Sequence, residues 1–207
     1  MVREVIRNLN CPEYRFIFII NTDQISEEEF ESHLRGENNL EYKIVTVDKI
    51  TEGPACSALA AKEYINNEDS LIIINCDQII WDFNPSYIDS FVRVTEADGF
   101  LGCFLSSSKK NSYIKVDPNG EVLEVKEKIV ISNLATNGLH YWKHGRYFVE
   151  SAEEMISNND RYNGEFYVAP TYNYLIKRGK KILPYFFNLH FPIGIPEDLK
   201  KYQSIVK

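Results

Sequence analysis

Four consecutive apolar residues, Leu71-Ile72-Ile73-Ile74, run without a break into Asn75-Cys76-Asp77-Gln78. A run this dense suits a strand covered on both faces, as in a parallel sheet flanked by helices. Ligands in such sheets bind just beyond the carboxyl ends of the strands, the position that Asp77 would occupy. The segments before it alternate in the same sense. Tyr14 to Ile20 and Tyr42 to Val47 read as strands. Between them Ser26 predicts an N-cap, with Glu29 three residues on as its capping-box partner and Phe30 and Leu34 sharing one face. Thr51-Glu52-Gly53-Pro54 opens an alanine-rich helix expected to reach Ile65, because proline is tolerated in a first turn whose amides are free. Tyr87 to Thr95 predicts a further helix.

The rhythm then changes. Phe100 to Leu105, Ser112 to Val116 and Glu121 to Val125 are short strands, the last two joined by Asp117-Pro118-Asn119-Gly120, where Gly120 can take positive φ. Ala135 to Tyr141 and Lys181 to Phe187 read as strands; Arg146 to Ile156, the segment around Pro170 to Lys177, and Leu199 to Tyr202 read as helices. The pattern predicts an α/β fold with a mostly parallel central sheet flanked by helices and a small antiparallel portion. No repeat or low-complexity linker divides the 207 residues, and one domain spanning 1–207 is expected.

A formal net charge of −7 argues against a nucleic-acid groove, which needs clustered Lys and Arg. The longest apolar run has the length of a strand, so neither a membrane partner nor a signal peptide is expected, and the cytoplasm fits best. The four cysteines, at 11, 56, 76 and 103, form no CxxC pair or finger spacing, and His140 and His190 stand apart from any metal-ligand pattern.

Six landmarks then stand in a telling order: Thr51-Glu52-Gly53-Pro54-Ala55, Asn75-Cys76-Asp77-Gln78, Glu127-Lys128, Ser132 to Tyr141, Gly164-Glu165, and Ile193-Gly194-Ile195-Pro196-Glu197-Asp198-Leu199. Their order and spacing resemble the sugar-phosphate nucleotidyltransferases, with a GT-A-like fold, and within them the capsule and surface-polysaccharide branch. The resemblance implies a reaction in which a phosphate oxygen of a phosphorylated acceptor attacks the α-phosphorus of a nucleoside triphosphate and expels pyrophosphate. It implies a nucleotide-binding half over 1–98 and an acceptor-binding half over 99–207.

Residue by residue, the resemblance makes Glu52, Gly53, Pro54, Ala55 and Asn75 the nucleotide-binding set. A glycine lets backbone approach a flat ring, although Gly53 could equally do no more than start a helix. Asp77 resembles the carboxylate that holds Mg²⁺, a hard cation satisfied by one or two protein carboxylates beside phosphate and water; the alternative is an Asp capping a turn. Lys128 resembles a phosphate contact. Glu127, Asn133, Asn137, Gly138 and Glu165 resemble the acceptor-binding set, with Tyr167, Tyr172 and Asn173 either completing that wall or merely packing.

Two departures stand out. Met1 to Leu9 resembles the helix that follows the family's first strand and glycine-rich phosphate loop, so that strand and loop are expected to be absent from this chain. Their absence would leave two rows of backbone groups unpaired, to be met by rearrangement or by a polypeptide that supplies the missing strand and loop. The position of the family's second metal carboxylate is Pro192, which cannot ligate, while Asp198 reads as a helix-start carboxylate. The alternatives are therefore an incomplete homologue or fragment that binds nucleotide or a protein partner, and a GT-A glycosyltransferase. The last is disfavoured because Asn75-Cys76-Asp77 supplies only the final carboxylate of an Asp-x-Asp.

Overall fold

The computed structural model describes residues 2–9, 11–37 and 40–206; Met1, at the head of the first motif, lies outside the described residues. The chain forms two compact units interleaved in sequence, one from residues 1–49, 75–85 and 187–207, the other from 50–74 and 86–186.

The smaller unit begins with helix α1 (Val2–Leu9), which buries Val5, Ile6 and Leu9. Strand β1 (Arg15–Asn21) pairs in parallel with β2 (Glu41–Val47) through helix α2 (Glu27–Leu34). Ser26 caps α2 as expected, its hydroxyl accepting from the Glu29 amide at 3.1 Å. Phe18 packs against Phe30 and Tyr42 and so ties α2 to the strand pair. Two short strands were not foreseen. β4 (Gln78–Ile80) and β10 (His190–Pro192) pair antiparallel, and a closing helix α8 (Pro196–Ile205) packs Tyr202 against Phe191 and Trp81. At three residues each they fall below the length at which periodicity can be read. The other edge of β4 is held by one side chain: Asn8 Nδ2 donates to the Ile80 carbonyl at 2.9 Å while its Oδ1 accepts from the Ile80 amide at 3.0 Å.

The larger unit opens with α3 (Pro54–Leu59) and α4 (Lys62–Ile65), two short helices where one continuous helix was expected. Its sheet contains β3 (Leu71–Ile74), β5 (Gly99–Leu105), β6 (Tyr113–Val116), β7 (Val122–Lys126), β8 (Leu134–Trp142) and β9 (Ile182–Phe186), in the order β7-β6-β8-β5-β9 with β3 also on β8. The expectation of a mostly parallel sheet gives way here to a mixed one. Only β5–β9 is parallel, whereas β8 runs antiparallel to β3, β5 and β6. The reason is topological. β3 and β5 run in the same direction, as strand–helix alternation predicts, but β8 inserts between them after the β6–β7 hairpin.

Helix α5 (Pro85–Thr95) covers one face of that sheet, with Phe91 against Phe100, which stacks on Tyr141. Helices α6 (Gly145–Ser157) and α7 (Tyr172–Lys177), the latter entered through a 3-10 turn at Ala169–Thr171, cover the other face, where Trp142 stacks on Tyr172 and meets Phe148. Side chains of successive strand residues point to opposite faces, so Tyr141 and Trp142 anchor the two layers from one strand. His140 is fully enclosed in the α7 layer; burial lowers its pKa to about 3, and it is a neutral core residue.

The Asn8 bridge yields a direct test. Ile80 is fully buried, so Asn8→Ala leaves its amide without a partner and its carbonyl with the Phe83 amide alone, at 3.1 Å. Chemical denaturation is expected to show a loss of about 2 kcal/mol; a loss within the error of the measurement would show that the bridge does not hold β4.

Candidate functional site

The polar groups of the larger unit gather where its sheet splits. On one edge of β8, Ile74 of β3 faces Leu139 and Tyr113 of β6 faces Ala135, and the two strands flank a bulge. The register against β5 jumps there: Leu101 faces His140 while Cys103 faces Thr136. Asn137, Gly138 and Leu139 thus occupy the space of one partner residue. Gly138 takes φ of 82°, which only glycine adopts without strain, and Asn137 Oδ1 accepts from the Leu139 amide at 3.1 Å. Asn137 is buried, and its Nδ2 has no partner among the described residues. A buried amide left in this way is costly unless a ligand or water accepts from it.

Glu127 joins this cluster through Ser112. The Ser112 carbonyl accepts from the Thr136 amide at 2.9 Å, and its hydroxyl donates to Glu127 Oε2. Burial raises the Glu127 pKa above its ordinary 4.5, with the Ser112 bond and the Lys128 charge opposing and the Glu165 charge adding. Lys128 follows in a left-handed conformation, φ 53°, a strain of roughly 1–2 kcal/mol for a side chain that is not glycine. Its ammonium donates to Tyr167 Oη at 2.7 Å and lies 4.0 Å from Glu127; Tyr167 in turn donates to Glu165 Oε2 at 2.5 Å. The Tyr167 bond and the acidic neighbours raise the Lys128 pKa, keeping it a cation. A cavity of about 150 Å³ opens here, lined by Glu127, Arg161, Tyr162, Tyr167 and Asn173 among others.

The structure therefore brings Glu127, Lys128 and Glu165 together, and ties them through Ser112 to the backbone of Thr136, the residue before Asn137 and Gly138. Asn133 makes no side-chain hydrogen bond to them among the described residues. Asn133 is exposed at the entry to β8, four residues before Asn137, with its carbonyl taken by the Ser106 amide. Of the three flanking residues, Tyr172 is packing, its hydroxyl bonded to the Phe100 and Tyr141 carbonyls, and Asn173 clamps both backbone groups of Val125 while also facing the cavity. Ser112 was missed, and no motif marks it: a lone serine at a strand start carries no signal until its partner strand is known.

In the same unit Gly53 has φ of 128°, and a Cβ there would meet the Phe166 carbonyl oxygen at 2.5 Å and its nitrogen at 2.6 Å. The close approach that demands glycine is thus to Phe166 backbone. The Phe166 amide donates to the Glu52 carbonyl at 2.8 Å and the Ala55 amide to the Phe166 carbonyl at 3.0 Å. Pro54 takes the first position of α3, Ala55 is buried, and the Glu52 side chain pairs with Arg161 at 2.5 Å.

In the smaller unit Asn75, Cys76 and Asp77 are exposed. The Asp77 carbonyl accepts from the Ile193 amide at 2.7 Å, and a Cβ on Gly194 would come within 2.9 Å of Asp77 Oδ2. Gly194 therefore leaves the room in which this carboxylate stands. Pro192 faces Gln78 in the β4–β10 pair, beside Asp77, and offers no second carboxylate. Among the described residues no group of three or more His, Cys, Asp or Glu side chains is arranged to hold a metal. One exposed carboxylate with free space beside it fits a hard cation whose remaining ligands are phosphate and water oxygens, and does not fit a cation caged by protein alone.

A sequence model of the family described as nucleotidyl transferase matches residues 1–191, nearly the whole chain, and the chain belongs to that family. Solved structures share its fold. A nucleoside-diphosphate-sugar pyrophosphorylase from Vibrio cholerae RC9 aligns with a TM-score of 0.79 at 22% identity, over 93% of this chain and 81% of that one. A UDP-glucose pyrophosphorylase complexed with UDP-glucose aligns at 0.73 and 18%, over 99% and 84%. The inositol-1-phosphate CTP transferase from T. maritima aligns at 0.68 and 18%, over 93% and 76%. No curated protein sequence matches significantly. The architecture is accordingly a GT-A-like nucleotidyltransferase fold with a mixed sheet and flanking helices.

The buried carboxyl of Glu127 sets a pH signature. Because folding raises its pKa, the folded chain holds this proton more tightly than the unfolded chain; the resulting stability is full below about pH 4.5 and is lost as pH rises through the raised value. Glu127→Gln removes the titration and keeps an acceptor for Ser112. Its melting temperature relative to the parent is expected to rise between about pH 4 and about pH 8; a constant difference across that range would show that Glu127 is not desolvated.

Proposed function

We propose that the chain transfers a nucleoside monophosphate from a nucleoside triphosphate to a sugar phosphate or related phosphorylated acceptor, releasing pyrophosphate, in the cytoplasm and in the service of surface-glycan precursors. Family membership supports the reaction class. The single observation that carries the acceptor class is a buried acid, Glu127, tied through Ser112 to the backbone beside Asn137, whose buried side-chain amide is unsatisfied among the described residues. A polyhydroxyl acceptor supplies hydroxyls that donate to the first and accept from the second. The capsule-related branch rests on the motif resemblance alone.

The chemistry asks for positioning and charge neutralisation rather than a protein nucleophile. Glu127, Asn137 and Glu165 orient acceptor hydroxyls around Gly138, and Lys128 neutralises acceptor phosphate. The turn of Glu52, Gly53, Pro54 and Ala55 receives the base, and Asn75, in the smaller unit, is a nucleotide-binding candidate on its motif alone. Asp77 would hold Mg²⁺, which when bound supplies charge compensation at the phosphates. Asn133, exposed at the entry to β8, is an acceptor-binding candidate on its motif alone.

A second reading is favoured by two strand edges. Among the described residues β1 pairs only with β2, and β3 only with β8, while every side chain of the apolar β3 remains partly exposed. An open apolar edge is a template for an added strand. In this reading the chain binds nucleotide, and a further polypeptide segment carrying a strand and a glycine-rich phosphate loop completes the enzyme.

Pyrophosphate release, assayed across nucleoside triphosphates and sugar phosphates with Mg²⁺, separates the two. Turnover by the chain alone that drops at least about a hundredfold in Asp77→Ala, without a change in melting temperature, supports the first reading. Nucleotide binding without turnover supports the second. The absence of both, or turnover indifferent to Asp77→Ala, contradicts the assignment of that carboxylate.

A further inference from the structure

One side chain at the edge of the acceptor cluster, Arg161, is used by none of the assigned roles. The segment 159–167 folds into a tight turn in which Tyr162 and Glu165 exchange both backbone bonds at 3.0 Å around Asn163 and Gly164, with φ of 49° and 85°. Two central residues of positive φ define a stiff hairpin turn. Arg161 sits at its base and divides its guanidinium between the turn and Glu52. Nε donates to Asn159 Oδ1 at 2.6 Å, Nη1 to the Gly164 carbonyl at 3.0 Å, and Nη2 pairs with Glu52 Oε2 at 2.5 Å. The guanidinium plane also lies 4.0 Å over the Phe166 ring.

An ion pair whose carboxylate is largely exposed contributes little to stability by itself. What the arrangement does is geometric. Phe166, beneath the guanidinium, exchanges backbone bonds with Glu52 and Ala55 on one side, and its chain neighbours Glu165 and Tyr167 lead on the other to Lys128 and Glu127. The turn assigned to nucleotide and the cluster assigned to acceptor are thus two ends of one hydrogen-bonded network, joined at Arg161 and Phe166.

We propose that Arg161 is a positioning residue that clasps the Glu52–Ala55 turn to the Glu165–Tyr167 segment, so that nucleotide and phosphorylated acceptor each strengthen the binding of the other. This rests on the function proposed above. A ligand that orders either segment removes part of the ordering cost of the other, and the clasp carries that coupling. Lysine at this position keeps the charge towards Glu52 but cannot reproduce the planar three-way fork, so it preserves only part of the effect.

Two measurements on the intact chain test this. Amide exchange of Ala55 and Phe166 is expected to accelerate together by roughly tenfold in Arg161→Met, the scale of one lost charge-assisted hydrogen bond, with Arg161→Lys between the two. Titration with each of the four common ribonucleoside triphosphates, with and without glucose 1-phosphate, is expected to show a nucleotide whose Kd falls about fivefold when the sugar phosphate is present, and in Arg161→Met the two Kd values become equal, whatever their absolute size. A merely structural arginine would leave the ratio of the two Kd values unchanged, and that result overturns the proposal, as does Ala55 exchange that is unaffected by Arg161→Met. If the parent chain binds neither ligand, the functional reading falls and the coupling with it, whereas the exchange rates separately report whether the clasp exists.

Discussion

The insertion of β8 between β3 and β5 is the constraint on which the larger unit depends. β8 supplies the aromatic anchors of both helix layers, Tyr141 towards α5 and Trp142 towards α6 and α7, and carries two different strands on one edge. A strand that serves β3 at one end and β6 at the other must change its course between them. The bulge at Asn137, Gly138 and Leu139 makes that change, at a residue whose positive φ a Cβ would penalise. The same local event parts the sheet and holds the Asn137 side chain, through its Oδ1 bond to the Leu139 amide, with a buried Nδ2 left unsatisfied among the described residues, so architecture and candidate chemistry have one physical origin.

Two glycines show how backbone proximity shapes the remaining candidates. Gly53 lets the turn before α3 lie against Phe166, and Gly194 leaves space for the Asp77 carboxylate. In both cases the missing side chain serves a neighbouring protein group first. Any ligand contact at Gly53 is built on a turn already held by two backbone bonds, which favours a preformed site over one assembled on binding.

Much of this was legible in the chain. Strands of four or more residues, the Ser26 cap and the turn at Gly120 were read to within a residue or two because each carries a local signal: alternation, a capping hydroxyl, a glycine at positive φ. The direction of β8 was not, since antiparallel insertion depends on pairing between segments far apart in sequence. β4 and β10 were too short to show a period. Among the candidate site residues, Glu127, Lys128 and Glu165 were singled out by motif, and the structure brings them into one cluster. Ser112 and Arg161 were invisible because their roles lie in bonds to Glu127 and Glu52, across 15 residues and across more than a hundred. Asn133 shares its residue type with Asn137, but not the bulge that gives the latter its setting.

The central claim is that the bulge presents Asn137 and Glu127 to a hydroxyl-rich phosphorylated ligand. The side-chain amide resonances of Asn137, followed by NMR during titration with glucose 1-phosphate and with inorganic phosphate in parallel, test it most directly. The account predicts a saturable shift of the Asn137 Nδ2 protons with the sugar phosphate and none with phosphate alone, together with a shift at Glu127. Equal responses to both ligands, or shifts confined to exposed lysines with Asn137 unmoved, would contradict it.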